Sequence, residues 1–163
     1  MKEFFLMYDL PWEPTSNERL GVIPMPRVID TLDRHYGKGD MGAAKRHIAY
    51  WIAEAIAAHD LRAELSLRNE EISYSLRALV INDIARIVSR IDELVEYLQL
   101  QEAPSVATVY HNIAVAFYLT KDNTHALIYC DKAIAIYRAD SQRFMNELVL
   151  LYDLKKALLI GVE

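Results

Sequence analysis

The sequence predicts an all-α fold, and three observations predict it. Apolar residues recur at helical spacing. Tyr110, Ile113, Ala114 and Phe117 fall at i, i+3, i+4 and i+7, and Ala126, Cys130, Ala133, Ile134 and Tyr137 mark one face of a second helix. Glycine and proline are scarce, at five each in 163 residues, which favours long helices over turn-rich β structure. Short polar breaks such as Thr120 to Thr124 separate the patterns, with Asp122 or Asn123 placed to cap the helix that follows. Large and small residues alternate around this break: Tyr110, Phe117 and Tyr137 against Ala114, Ala126 and Ala133. That alternation describes two antiparallel helices in close contact. A chain of this length reads as one domain, built from three such hairpins and a C-terminal helix.

In chain order, residues 1–25 form a proline-containing N-terminal arm, and residues 26–163 form the helical domain. Pro11, Pro14, Pro24 and Pro26 forbid a continuous helix in the arm. Phe4, Phe5, Leu6, Tyr8, Leu10 and Trp12 are too apolar for a free tail, so the arm is expected to order by packing. The first helix starts near Pro26, a residue tolerated in a first turn, and carries Val28, Ile29, Leu32 and Tyr36 up to Gly37. The second runs from Asp40 to about Ala58 on Ala44, Ile48, Trp51, Ile52 and Ala55. The third spans about Leu61 to Ala78 on Leu65, Ile72 and Leu76. The fourth spans about Asn82 to Leu100 on Ile84, Ile87, Val88, Ile91, Leu94, Val95 and Leu98. After Pro104 comes the Tyr110–Tyr137 hairpin, and a last helix runs from about Ser141 to Ile160.

The hairpin over residues 105–137 resembles a tetratricopeptide repeat (TPR). Tyr110, Ile113, Ala114 and Phe117, then Ala126, Cys130 and Ala133, occupy the large and small places of that family's helix A and helix B in order. Lys121 departs from the glycine often found at the turn, and no proline closes the unit. Ala44, Ile84 and Ala126 take one helix B position in three hairpins that recur at about 40 to 42 residues, longer than the family's usual length of about 34. The middle hairpin matches least, with Leu79 at its turn and Ile84 in place of a small residue, although Leu65 to Leu98 is similar to the second repeat of uncharacterised bacterial TPR proteins. The resemblance implies a right-handed α-α superhelix.

Motifs of enzyme chemistry find no support. Gly37-Lys38-Gly39-Asp40-Met41-Gly42 is a literal G-x-G-x-x-G, but a dinucleotide site needs it after a β-strand, and the preceding segment has helical period. An interhelical turn is the expectation. His35, His47 and His59 are spaced twelve apart, with no metal-ligand spacing to another His, Cys or carboxylate. Glu70 and Glu71 are adjacent on a helix and diverge, so a solvated or ion-paired face is expected rather than a carboxylate pair. No catalytic residue, cofactor or metal is expected, and the chain reads as a non-enzyme. A net charge of −5 with dispersed Lys and Arg argues against nucleic acid. The single cysteine, Cys130, suits a reducing cytoplasm, and no stretch is long enough for a transmembrane helix.

A binding surface remains. The resemblance puts ligand-facing residues on the concave side, at fixed helix A positions: Asn69, Ser73 and Arg77 in the second hairpin, and Thr108, His111, Asn112, Val115 and Tyr118 in the third. Amides and hydroxyls among aromatic rings suit an extended peptide. The function expected is a non-catalytic protein- or peptide-binding module. The alternative is a regulatory peptide sensor, related to bacterial peptide-responsive TPR regulators but without a DNA-binding domain. The last helix carries Leu148, Val149, Leu150, Leu151 and Tyr152 in one run, more apolar surface than one face can bury. A homodimer through Leu148, Leu151, Tyr152 and Leu158 is therefore expected.

Overall fold

A computed structural model describes residues 23–161; the expectations for the arm that fall on residues 1–22 lie outside them. The described residues form seven α-helices and no strand: α1 (Met25–Gly37), α2 (Met41–Ala57), α3 (Leu61–Ala78), α4 (Ile84–Tyr97), α5 (Pro104–Leu119), α6 (Asn123–Arg138) and α7 (Met145–Gly161). The all-α expectation holds for them. The last helix starts later than Ser141, because residues 139–144 turn first and Phe144 packs its ring on Tyr137 at 4.7 Å. The fourth starts later too, behind Asp83 in a left-handed conformation.

One turn design recurs between helices. After α1, α2, α4 and α5 the chain passes through a left-handed residue: Gly39, His59, Gln99 and Lys121, at φ of 69°, 55°, 57° and 63°. The next residue's N–H then reaches back into the last helical turn, as Asp40 to His35 O, Asp60 to Ala55 O, Leu100 to Val95 O and Asp122 to Phe117 O, at 2.9 to 3.0 Å. This satisfies carbonyls that a helix end leaves unpaired. In three cases the residue after the left-handed one is an aspartate that caps the next helix. The carboxylates of Asp40, Asp60 and Asp122 accept from the N–H groups of Ala43, Ala63 and His125 at 3.0 to 3.1 Å. The Gly37–Gly42 stretch is such a turn, with Gly39 as its left-handed residue and helix on both sides.

Each helix packs on the next, and α3 also packs on α5, and α5 on α7. The α1–α2 hairpin and one side of α3 form a small apolar cluster with Ile23, Val28, Leu32, Ile48, Ile52 and Leu67. The other side of α3 belongs to the main core, with α4 to α7. The α5–α6 contact is the most extensive. Ala107, Ala114, Ala126, Ala133 and Cys130 are fully buried in this core, and Tyr110, Phe117, Tyr129 and Tyr137 fill the flanks. Rings of Tyr110 and Phe117 lie 5.7 and 5.8 Å from that of Tyr129. Ala44 and Ala126 are fully buried and Ile84 nearly so.

Two outcomes follow from this packing. Ala114→Leu and Ala126→Leu should each destabilise by about 1–3 kcal/mol, because an added side chain at a close helix contact forces the backbones apart. Urea denaturation measures this, and parental midpoints in both variants would contradict the contact. Lys121→Gly should stabilise by about 0.5–1 kcal/mol, since glycine removes the Cβ clash of the left-handed conformation. Thermal melting checks the sign.

Candidate functional site

Every buried polar or charged side chain of the described residues lies on α3 or α5. They are Glu64, Ser66, Asn69, Glu70, Ser73 and Ser75 on α3, and Thr108, His111 and Asn112 on α5. These two helices are central. All residues from Val106 to Phe117 are buried, so α5 is enclosed around its whole circumference. The face that amphipathic patterning would leave to solvent is therefore interior, and its polar groups need partners inside the protein.

The seam they form has a defined centre. The Asn112 amide nitrogen donates to Asn69 Oδ1 at 3.4 Å, and both residues have no exposed surface. Asn69 Nδ2 finds no hydrogen-bond acceptor among the described residues. Toward α1 the guanidinium of Arg77 lies over the Tyr36 ring, 4.3 Å from its centroid. Burial raises the Tyr36 hydroxyl above the usual tyrosine range, with the charge of Glu70 adding to the effect. On the other side of α5, Thr108 Oγ1 and the Tyr137 hydroxyl share a buried hydrogen bond of 2.7 Å.

The expectation of a solvent-lined groove is corrected for six of its eight residues. Asn69, Ser73, Thr108, His111, Asn112 and Val115 are buried. Arg77 and Tyr118 are half-buried at its margin. The structure does bring Asn69 and Asn112 together from separate hairpins, whereas Thr108 turns to α6. A ligand reaches the buried groups only by replacing what covers them. The expected oligomer residues are corrected as well. Leu148, Leu151 and Leu158 are buried in the core of their own chain, and only Tyr152 faces outward.

Other groups are explained by structure. His35 and His47, unpaired by spacing, meet in the α1–α2 hairpin with ring centroids 5.5 Å apart, and His47 Nε2 donates to Val28 O at 2.9 Å. Among the described residues no three His, Cys, Asp or Glu side chains gather as a metal site would require. Burial pushes the Cys130 thiol up to about 12, and its Sγ donates to Leu151 O at 3.4 Å. The thiolate is therefore suppressed. Tyr129 donates its hydroxyl to Asp92, tying α6 to α4, and burial raises its pKa. No helix of the described residues is long and apolar enough to cross a membrane.

One constellation escapes the sequence. Glu64, 1 % exposed, accepts from Arg90 Nε and Nη2 at 2.7 Å each and from Arg68 Nε at 3.3 Å. Arg68 also reaches Glu71, and Arg90 reaches Glu93. The pairs within a helix stand at legible i+3 and i+4 spacing, but the bond from α3 to α4 spans 26 residues and leaves no local signal. The bidentate Arg90 holds the Glu64 carboxyl below the usual carboxylate range, against the opposing effect of burial.

Compared with protein-family models, curated proteins and solved structures, the chain matches none.

The depressed carboxyl has a signed consequence. Its stabilising effect is present above the unfolded carboxylate pKa of about 4.3 and is lost as pH falls through the lower folded value. Glu64→Gln should therefore cost about 2–4 kcal/mol near pH 7, where it leaves Arg68 and Arg90 without their shared counter-charge. The gap to the parent should narrow below about pH 4. Urea titrations across pH measure both, and a gap independent of pH would refute the assignment.

Proposed function

We propose that the chain is a non-catalytic TPR-like module that binds a protein or an extended peptide on the side where α1, α3 and α5 follow one another. Helices that pack on their neighbours in order, with α3 also touching α5, and α5 touching α7, support a stack of hairpins read as a right-handed superhelix. The recurrent left-handed turn followed by a capping aspartate supports a repeating unit. The single cysteine fits a cytoplasmic setting.

The observation that carries the reading is the Asn69–Asn112 pair. Stacked helices need only apolar contacts, and a buried amide is costly unless its hydrogen bonds are made. Two amides on consecutive odd-numbered helices, one with a donor that finds no acceptor among the described residues, suit a ligand that replaces their present cover and whose backbone offers a carbonyl and an N–H at every residue. Tyr118 and Arg77, half-buried at the margin, would meet its side chains. As the only cation among the residues assigned to this face, Arg77 does not make a clamp for a terminal carboxylate.

Phage-displayed random peptides selected on the full chain supply the probe, and calorimetry of a selected peptide tests the site. Asn69→Ala and Asn112→Ala should each weaken binding about tenfold, the value of one hydrogen bond of about 1.4 kcal/mol. The titration is run where circular dichroism shows both variants folded. Failure to select any peptide, or equal affinity for parent and variants, would refute the reading.

A further inference from the structure

The α7 helix has two apolar faces. Leu148, Leu151, Leu154 and Leu158 point into the core. Met145, Val149, Tyr152, Leu159 and Ile160 are 46 to 67 % exposed. At about 100° per residue the exposed five fall within a sector about 100° wide, a continuous stripe along a helix about 25 Å long. An apolar stripe of this extent on one helix marks an interaction surface. On the neighbouring helix Ile128 is exposed too, one turn before Asp131, which pairs with Lys155 of α7 at 2.8 Å.

Charge identifies the occupant. Lys156 stands inside the stripe and Asp153 at its edge, both exposed. Among the described residues neither is ion-paired, whereas Lys155 is. A lysine lays its methylene stem along such a contact and carries its ammonium to the rim, where a carboxylate on the other surface would meet it. We propose that a second copy of this chain supplies it, through an antiparallel two-fold contact between α7 helices that sets Asp153 against Lys156 of the other copy.

The register tests itself on the sequence. In an antiparallel two-fold pair, facing residue numbers have a constant sum. Setting Asp153 against Lys156 also sets Val149 against Ile160 and Tyr152 against Ala157. Leu159 then faces Leu150, Met145 lies outside the paired segment, and the ion pair forms twice. A contact of one helix per copy is smaller than the roughly 800 Å² per partner of standard interfaces, so association is expected in the micromolar range. The contact uses the outward face of α7 and leaves the Leu148–Leu158 face in its own core.

Sedimentation equilibrium of the full chain at about 1 to 100 µM decides the matter. The expected result is a monomer–dimer equilibrium, weakened at least about tenfold by Val149→Glu with the circular dichroism melt preserved. Asp153→Lys and Lys156→Asp should each weaken the homodimer about tenfold by setting like charges opposite one another. An equimolar mixture of these two variants should associate again, because one copy then presents two lysines to the two aspartates of the other. A monomer throughout the range, a dimer indifferent to Val149→Glu, or a mixture no tighter than its components would each overturn the proposal.

Discussion

Two helix backbones approach closely only where both carry small side chains, and the rest of this molecule depends on such an approach between α5 and α6. Alanines 107, 114, 126 and 133 leave room for it, and the tyrosines beside them close the space. Other elements are attached to this pair by directed bonds. Cys130 donates to α7 through Leu151 O, Tyr129 to α4 through Asp92, and Asn112 to α3 through Asn69. Apolar burial supplies the non-directional attraction, while these bonds select the rotation and height at which each helix docks.

The same division of labour explains α3. One of its sides belongs to the small amino-terminal cluster and the other to the main core. A purely apolar α3 would bury as much area but could slide against its neighbours. Instead Glu64 is held by two arginines, one from its own helix and one from α4, so a shift by one turn would separate opposite charges in a poorly solvated place. Tyr36 and Arg77 do the corresponding task between α1 and α3.

Helix positions were legible because they rest on local signals. Period, Pro104 and the capping Asp122 fix α5 and α6 within a residue or two, and α3 ends at Ala78 as its pattern suggests. Leu79 ends it in a left-handed conformation without the glycine that usually announces one. What the sequence hides is which way a face points. Asn69, Ser73, His111 and Asn112 read as a wet surface because polar residues usually are one. They are interior here because α5 is enclosed on every side. In α7 the run Leu148 to Tyr152 has no period at all, so nothing local tells Leu151, which is buried, from Val149, which is exposed. Both failures concern partners distant in sequence, which propensity and spacing do not encode.

The short connections carry a consequence for how the chain reaches this structure. Nearly every large contact joins helices that are consecutive or next but one, so few long loops must close before contacts begin to form. Low contact order of this kind goes with rapid folding. The left-handed turns strengthen the tendency, because each one reverses the chain with hydrogen bonds confined to six residues. A hairpin can thus assemble from its own sequence and serve as the template on which the next one docks. Among these hairpins α5 and α6 have the most extensive contact, and so the largest surface on which neighbours can dock.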